Sequence, residues 1–283
     1  MTKPNCNLVS TTIKELADLP SGSLKVLQLS DPHLFADQDG RLLGMRTLKS
    51  FIKVLNHATK TLGQMDLVVV TGDLVHDATA IGYSRLGEHL ATLGIPVYCL
   101  PGNHDDTALI ASTFSDNPSG SKISIQHNNW SIILLDSQLP GSESGHISSS
   151  QLAKLAANLQ AHPNHHTMIC LHHQAIPIGS TWLDTMTVDN ADDFFAIVDQ
   201  HPQVKAISWG HVHQDFEAVR NGVKLFGTPS TCFQFTPKKE TFGIDKIPPG
   251  CRWLALLPDG QITTGLVRIK KIPTSIDLSG SGY

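Results

Sequence analysis

Residues 95–106 read IPVYCLPGNHDD. An apolar run meets a Pro-Gly turn. Behind the turn stand an amide, an imidazole and two carboxylates, with no apolar residue among them. Polar groups gathered at the end of a buried strand point to a site. The same pattern recurs along the chain. KVLQLS (25–30), DLVVVT (66–71), SIILLD (131–136), HTMICL (166–171) and VKAISW (204–209) are short runs rich in Val, Ile and Leu. They show little alternation, as strands covered on both faces do. Between them lie segments of helical spacing: Leu48, Phe51, Ile52, Leu55, Ala58 and Leu62; Leu152, Leu155, Ala156 and Leu159 behind a Ser148–Ser150 cap; and Phe194, Phe195, Ile197 and Val198 after Asn190. Strand alternating with helix predicts an α/β fold.

The chemistry lies in the residues just past the strands. Asp31-Pro32-His33 comes after the first, Gly72-Asp73 after the second, and Gly102-Asn103-His104-Asp105 after the third. His172-His173 and Gly210-His211-Val212-His213 come after two later ones. Ligands bind outside the carboxyl ends of the strands in open α/β sheets. Residues scattered from Asp31 to His213 are therefore expected in one crevice. Singly, Asp-x-His and Gly-Asp read as turns, and His172-His173 as a satisfied pair. His211 and His213 say more, because alternate residues of an extended segment point the same way. Together the five endings form an oxygen and nitrogen donor set suited to Mn, Fe, Zn or Co rather than to Cu(I). Glycines before Asp73, Asn103 and His211 let the backbone turn sharply and approach closely.

The bulk composition narrows the partners. The chain has 283 residues, 40% of them hydrophobic, and a net charge of −4 without a block of Lys or Arg. One large domain or two small ones fit that length. Neither nucleic acid nor an anionic membrane is expected as the main partner. The first twenty residues lack an apolar signal region and no run is long enough to span a bilayer, so a cytoplasmic protein is expected. Cys6, Cys99, Cys170, Cys232 and Cys251 are scattered without a CxxC spacing and read as reduced core residues. Of the fifteen histidines, His57, His89, His162, His165 and His201 read as surface residues, and His76 stays unassigned. CRWLALL, PDG and QITTGLVRI predict a hairpin over 251–269, ahead of a tail over 270–283. The Pro-rich segment 236–250 either flanks the crevice and shapes specificity or is a plain surface connection. No repeat or low-complexity segment appears. Residues 1–283 are read as a single domain, with the core motifs in 24–230.

The ordered set D31-P-H33, G72-D73, G102-N103-H104-D105, H172 and G210-H211-V-H213 resembles the signature of the calcineurin-like metallophosphoesterases. LQLSDPHLFA (27–36), VTGDLVHD (70–77), LLDSQ (134–138), TPSTCFQF (228–235) and the terminal GSGY resemble one branch, the bacterial class III 3′,5′-cyclic AMP phosphodiesterases. The resemblance implies a four-layer αββα sandwich of two mixed sheets. It implies two transition-metal ions, Fe or Mn first and Zn or Co next. One would be held by Asp31, His33, Asp73 and His213, the other by Asp73, Asn103, His172 and His211, with Asp73 bridging. His173 is the register alternative to His172. The pair precedes Gln174, where the family often has Pro.

A metal-bridging hydroxide would attack phosphorus directly, turning 3′,5′-cyclic AMP into 5′-AMP. Asn103 and His104 would touch the substrate, His104 as the catalytic imidazole, with Asp105 orienting its ring. Two other outcomes remain open. One is a broader phosphodiesterase acting on 2′,3′-cyclic nucleotides or other small diesters. The other is a non-catalytic scaffold of the same fold, which a complete ligand set argues against.

Overall fold

The structure, a computed structural model, describes Leu16, residues 18–115, 123–272 and 275–280, and Gly282. Cys6, most of the first twenty residues, and Ser281 and Tyr283 of the terminal GSGY lie outside the described residues.

Two mixed sheets face each other. The first has the order β13 (Ile262–Arg268), β12 (Gly250–Leu256), β1 (Leu24–Leu29), β4 (Leu67–Thr71) and β5 (Val97–Leu100). The second has the order β10 (Phe216–Arg220), β11 (Val223–Gly227), β9 (Val204–Trp209), β8 (His166–Leu171), β7 (Trp130–Leu134) and β6 (Ser124–His127). The central strands β1, β4 and β5 run parallel, as do β7, β8, β9 and β11, while the outer partners run antiparallel. A short ribbon joins β2 (Arg41–Leu42) to β3 (Met45–Arg46). The helices are α1 (Thr47–Leu62), α2 (Ala80–Ala91), α3 (Thr107–Thr113), α4 (Ser149–Ala161), α5 (Thr181–Asp184) and α6 (Ala191–Val198). Among the described residues no helix is long and apolar enough to cross a membrane.

The strands are apolar on both faces because each sheet is covered twice. Leu24, Val26 and Val69 of the first sheet meet Trp130, Met168 and Phe226 of the second in a core between the sheets. The alternate residues Leu27, Leu29, Val68 and Val70 turn the other way, onto Phe51, Val54 and Leu86 of the helices. Ile133, Ile169 and Ile207 likewise turn outward onto Leu155, Phe194 and Val198. Helix, sheet, sheet and helix make the expected αββα sandwich. Each fully buried side chain of this kind is worth about 1.5–3 kcal/mol, and Trp130→Ala would cost about 3–5 kcal/mol.

The layer between the sheets becomes polar toward one end. Gln28 of β1, fully buried, donates to Thr71 Oγ1 at 3.1 Å and accepts from Ser208 of β9 at 2.6 Å, tying one sheet to the other below the crevice. Elsewhere Arg252 of β12 crosses to the second sheet, donating to Asp215 at 2.8 Å and Glu217 at 2.7 Å.

The six strands read from the sequence all form, as does the hairpin, now β12 and β13. Ser148 caps α4 by accepting from Gln151 N at 3.2 Å. Asn190 precedes α6 but spends its amide on Ile147, accepting from its N–H and donating to its carbonyl. Cys99, Cys170, Cys232 and Cys251 are buried free thiols.

Candidate metal centre

Parallel strands of both sheets end on the same side, and the donor residues stand on the turns that leave them. Asp31 and His33 come after β1, Asp73 after β4, Asn103 after β5, His172 and His173 after β8, and His211 and His213 after β9. The turns are unusual. Ten non-glycine residues among those described have positive φ, and five of them are Asp31, His33, Asp73, His211 and His213. An L-residue pays of order 1–3 kcal/mol for such a conformation and holds it only when surrounding contacts enforce it. Backbone contacts between the turns do so: Asp31 N donates to Gly72 O at 3.1 Å and His33 N to Asp73 O at 2.9 Å. Two glycines make this closeness possible. A Cβ on Gly72 would overlap the His172 ring, and one on Gly102 would overlap Asp73.

The donor atoms converge. One oxygen of Asp73, Oδ2, lies 3.6 Å from His33 Nε2 and 3.5 Å from His172 Nε2. His33 Nε2 is 3.3 Å from His213 Nε2, which is 3.3 Å from Asp31 Oδ1. On the other side His172 Nε2 is 3.2 Å from Asn103 Oδ1. Ligands about 2.0–2.1 Å from one small cation at tetrahedral or octahedral angles lie about 2.8–3.4 Å apart, so the 3.2 and 3.3 Å spacings fit a coordination shell and the two to Asp73 lie just beyond it.

The tautomers point the same way. His172 Nδ1 donates to Thr71 O at 2.9 Å and His213 Nδ1 to Phe233 O at 2.9 Å. A carbonyl only accepts, so in the neutral rings each Nε2 turns a lone pair into the cluster. Asp31 Oδ2, His173 Nε2 and His211 Nε2 are buried atoms without a hydrogen-bond partner. Unpaired buried polar atoms are costly, and cations among these donors would satisfy them. The residues therefore fit a metal pair.

The electrostatics agree. Burial pushes His33, His173 and His211 well below the ordinary imidazole range, which keeps them in the neutral, ligating form. Burial also opposes charge on His172, but the Asp73 carboxylate prevails and raises it to about 9. Burial would raise Asp73, yet His172, His104 and His33 hold it well below the usual carboxylate range.

Every site residue expected from the sequence lies in or against this crevice, but one role changes. Asp105 was expected to orient the His104 ring. Its carboxylate instead clamps the turns: Oδ1 accepts from Leu74 N, Val75 N and Tyr83 OH, and Oδ2 from Leu74 N and Gly102 N, all within 2.9–3.1 Å. Burial and Asp73 push it up to about 7 against those amides. Asp106, the last residue of the GNHDD stretch, caps α3. His104 is half-exposed, and its backbone N–H donates to Asp73 Oδ1 at 3.1 Å.

Sequence reasoning left His76 unassigned. Its Nδ1 lies 3.4 Å from His33 Nδ1, and its ring packs on His104 at 4.6 Å between centroids. Its only sequence signal was a third position after Asp73. His173, the register alternative, also faces the cluster, its Nδ1 2.9 Å from Ser137 Oγ. The imidazole that meets both Asp73 and Asn103 is that of His172. Among the described residues, none of the five histidines read as surface residues joins a cluster of donor atoms.

The finer motifs are supports. Gln138 of LLDSQ donates to Gly102 O at 2.8 Å and Asp105 O at 2.6 Å, bracing the GNHD turn. Ser230 of TPSTCFQF donates to Asp31 O at 2.7 Å, and Phe235 stacks on His213 at 4.4 Å. Beside the cluster opens a cavity of about 220 Å³. Asn103, His104 and His211 form its inner end, and Gly282 of the tail reaches its lining.

The family model described as calcineurin-like phosphoesterase matches residues 24–215. The 3′,5′-cyclic adenosine monophosphate phosphodiesterase CpdA of Vibrio vulnificus is 39% identical over 94% of this chain and 97% of its own length. The protein of that name from Escherichia coli K12 is 37% identical over 92% and 95%. Among solved structures, a dimetal phosphatase from Danio rerio superposes with a TM-score of 0.62 at 15% identity, covering 87% of this chain and 98% of that one. That likeness is one of fold.

Proposed function

Because the chain belongs to the calcineurin-like phosphoesterase family, we propose that it is a cytoplasmic, single-domain hydrolase that opens 3′,5′-cyclic AMP to 5′-AMP. The observation that carries the metal-dependent part is the single Asp73 oxygen set between His33 and His172. The substrate rests on the relatives, whose matches run almost end to end. Asp31, His33, Asp73 and His213 would hold one divalent metal, and Asp73, Asn103, His172 and His211 the other. Iron and manganese suit this oxygen and nitrogen set best, with zinc and cobalt next. When bound, such cations would supply charge neutralisation for the phosphoryl oxygens and a water of lowered pKa.

The chain's own groups do the rest. Asn103 and His104 line the inner end of the cavity, where the phosphate would sit. His104 would hold a proton for the departing 3′ oxygen, a contribution of about 10²–10⁴-fold. Asp105 keeps the loop that carries both residues in register. Burial raises the thiols, to about 12 for Cys170 and Cys251, so none of these supplies a thiolate nucleophile. The reaction is then one displacement by water, with inversion at phosphorus.

The test is a comparison of metal-defined enzyme on 3′,5′- and 2′,3′-cyclic AMP. The expected result is a preference for the first with 5′-AMP as product. Preference for 2′,3′-cyclic AMP would replace the reading with a broader phosphodiesterase, and a chain inert toward any phosphodiester would leave a scaffold.

A further inference from the structure

We infer that the cavity beside the metal centre is a base-recognition pocket that stacks the heterocycle of the nucleotide on an aromatic corner. The inference rests on the cyclic-nucleotide reading of the same site.

The inner end of the cavity is made by Asn103, His104 and His211. A cyclic phosphate held there places the rest of its nucleoside in the outer part. That outer part has the chemistry of a planar heterocycle site. Trp182, Met186 and Phe242 line it, with Phe235 behind. The Trp182 and Phe242 rings meet at 5.3 Å and 64°, forming an aromatic corner, and both remain half-exposed. A base can stack on one ring and meet the edge of the other. Among the described residues no Lys or Arg lines the cavity, so nothing there invites a second phosphate.

The corner is held in place before any ligand arrives. Trp182 sits on α5, whose first residue donates its N–H to Lys239 O at 2.9 Å. Ser180 Oγ accepts from Lys238 N at 2.9 Å. The loop carrying Phe242 is closed by Thr236 N donating to Gly243 O at 2.7 Å. Gln174, next to the His172-His173 pair, donates Nε2 to Leu183 O at 2.7 Å and joins the corner to the metal side. A wall fixed in this way loses little freedom on binding.

Glu143 also lines the cavity. A carboxylate only accepts hydrogen bonds, and both the 6-amino group of adenine and the N1–H and 2-amino groups of guanine donate them, so this residue can serve either purine.

Trp182→Ala should cut kcat/KM on cyclic AMP by about tenfold more than on ribose 3′,5′-cyclic phosphate lacking a base, chiefly through KM. Phe242→Ala should do the same more mildly, which covers the case of a poorly folded tryptophan variant. In wild type, 5′-AMP should quench tryptophan fluorescence where ribose 5-phosphate does not, and Trp182→Ala should abolish the difference. Equal losses on both esters in both aromatic variants would overturn the pocket alone. Failure of the wild type on cyclic AMP, with turnover of a bis-aryl phosphodiester, would overturn the substrate reading and the pocket with it.

Discussion

At the floor of the crevice the working side chains leave the ends of buried parallel strands. Their backbones sit at positive φ, and two of their imidazoles are locked by carbonyls behind them. At its wall they come from a four-residue helix and a loop whose single bridge, Phe235 to Ile244, is the extent of its sheet structure. The floor is over-determined: Gln28, Thr71, Ser230 and Gln138 each hold part of it from beneath. The wall is a contact between two short segments, Trp182 against Phe242, fixed by a few main-chain bonds. Charge-bearing chemistry needs donor atoms fixed to within tenths of an ångström. Recognition of a flat apolar ring needs surface and approximate placement. The same fold can keep its floor and vary its wall.

This contrast can be broken at several depths. The largest effect is expected from Asp73→Asn. A neutral amide cannot give both cations a shared anionic oxygen, so metal content should fall at both positions and turnover should drop to background. A chelator should lower the Tm of wild type, since loss of a ligand present at 100 times its Kd removes about 2.7 kcal/mol. It should barely move the variant. An active variant with a full metal complement would refute the bridge.

His104→Ala should keep its metals and lose about 10²–10⁴-fold on cyclic AMP. The loss should shrink on an activated aryl diester, whose leaving group needs no proton. Equal losses on both would assign the ring to charge stabilisation instead, and loss of a metal would make it a ligand.

On the wall, Phe242→Ala should cost about 5–10-fold in kcat/KM for cyclic AMP, with metal content unaltered by elemental analysis. A fall in metal content would show that wall and floor are one unit, coupled through Phe235 stacked on His213.

The smallest effect is expected beneath the floor. Tyr83→Phe removes a hydroxyl that donates to Asp105 at 2.9 Å and accepts from Asp106 N at 2.7 Å. Denaturant unfolding should report a loss of about 1–3 kcal/mol with little change in KM. A large change in KM would place this clamp in recognition rather than in support.

Fold class and donor set were legible in the order of residues alone. Strands covered on both faces read as unbroken apolar runs, and the residue after a strand is fixed in space by the strand before it. Asp31, Asp73, Asn103, His172, His211 and His213 could therefore be placed in one crevice from local order. Everything else came from closure in three dimensions. Positive φ at five donors results from contacts between turns distant in sequence, and no local pattern marks it. The resemblance implied Asp105 as the residue that orients the His104 ring. Its carboxylate is claimed instead by amides and a hydroxyl that the β4 turn and α2 bring to it. His76 gained its place through contact with His33, forty-three residues away. The wall was least legible of all: Trp182 and Phe242 carry no shared periodicity and meet only because two irregular segments fold over the same edge of the metal centre.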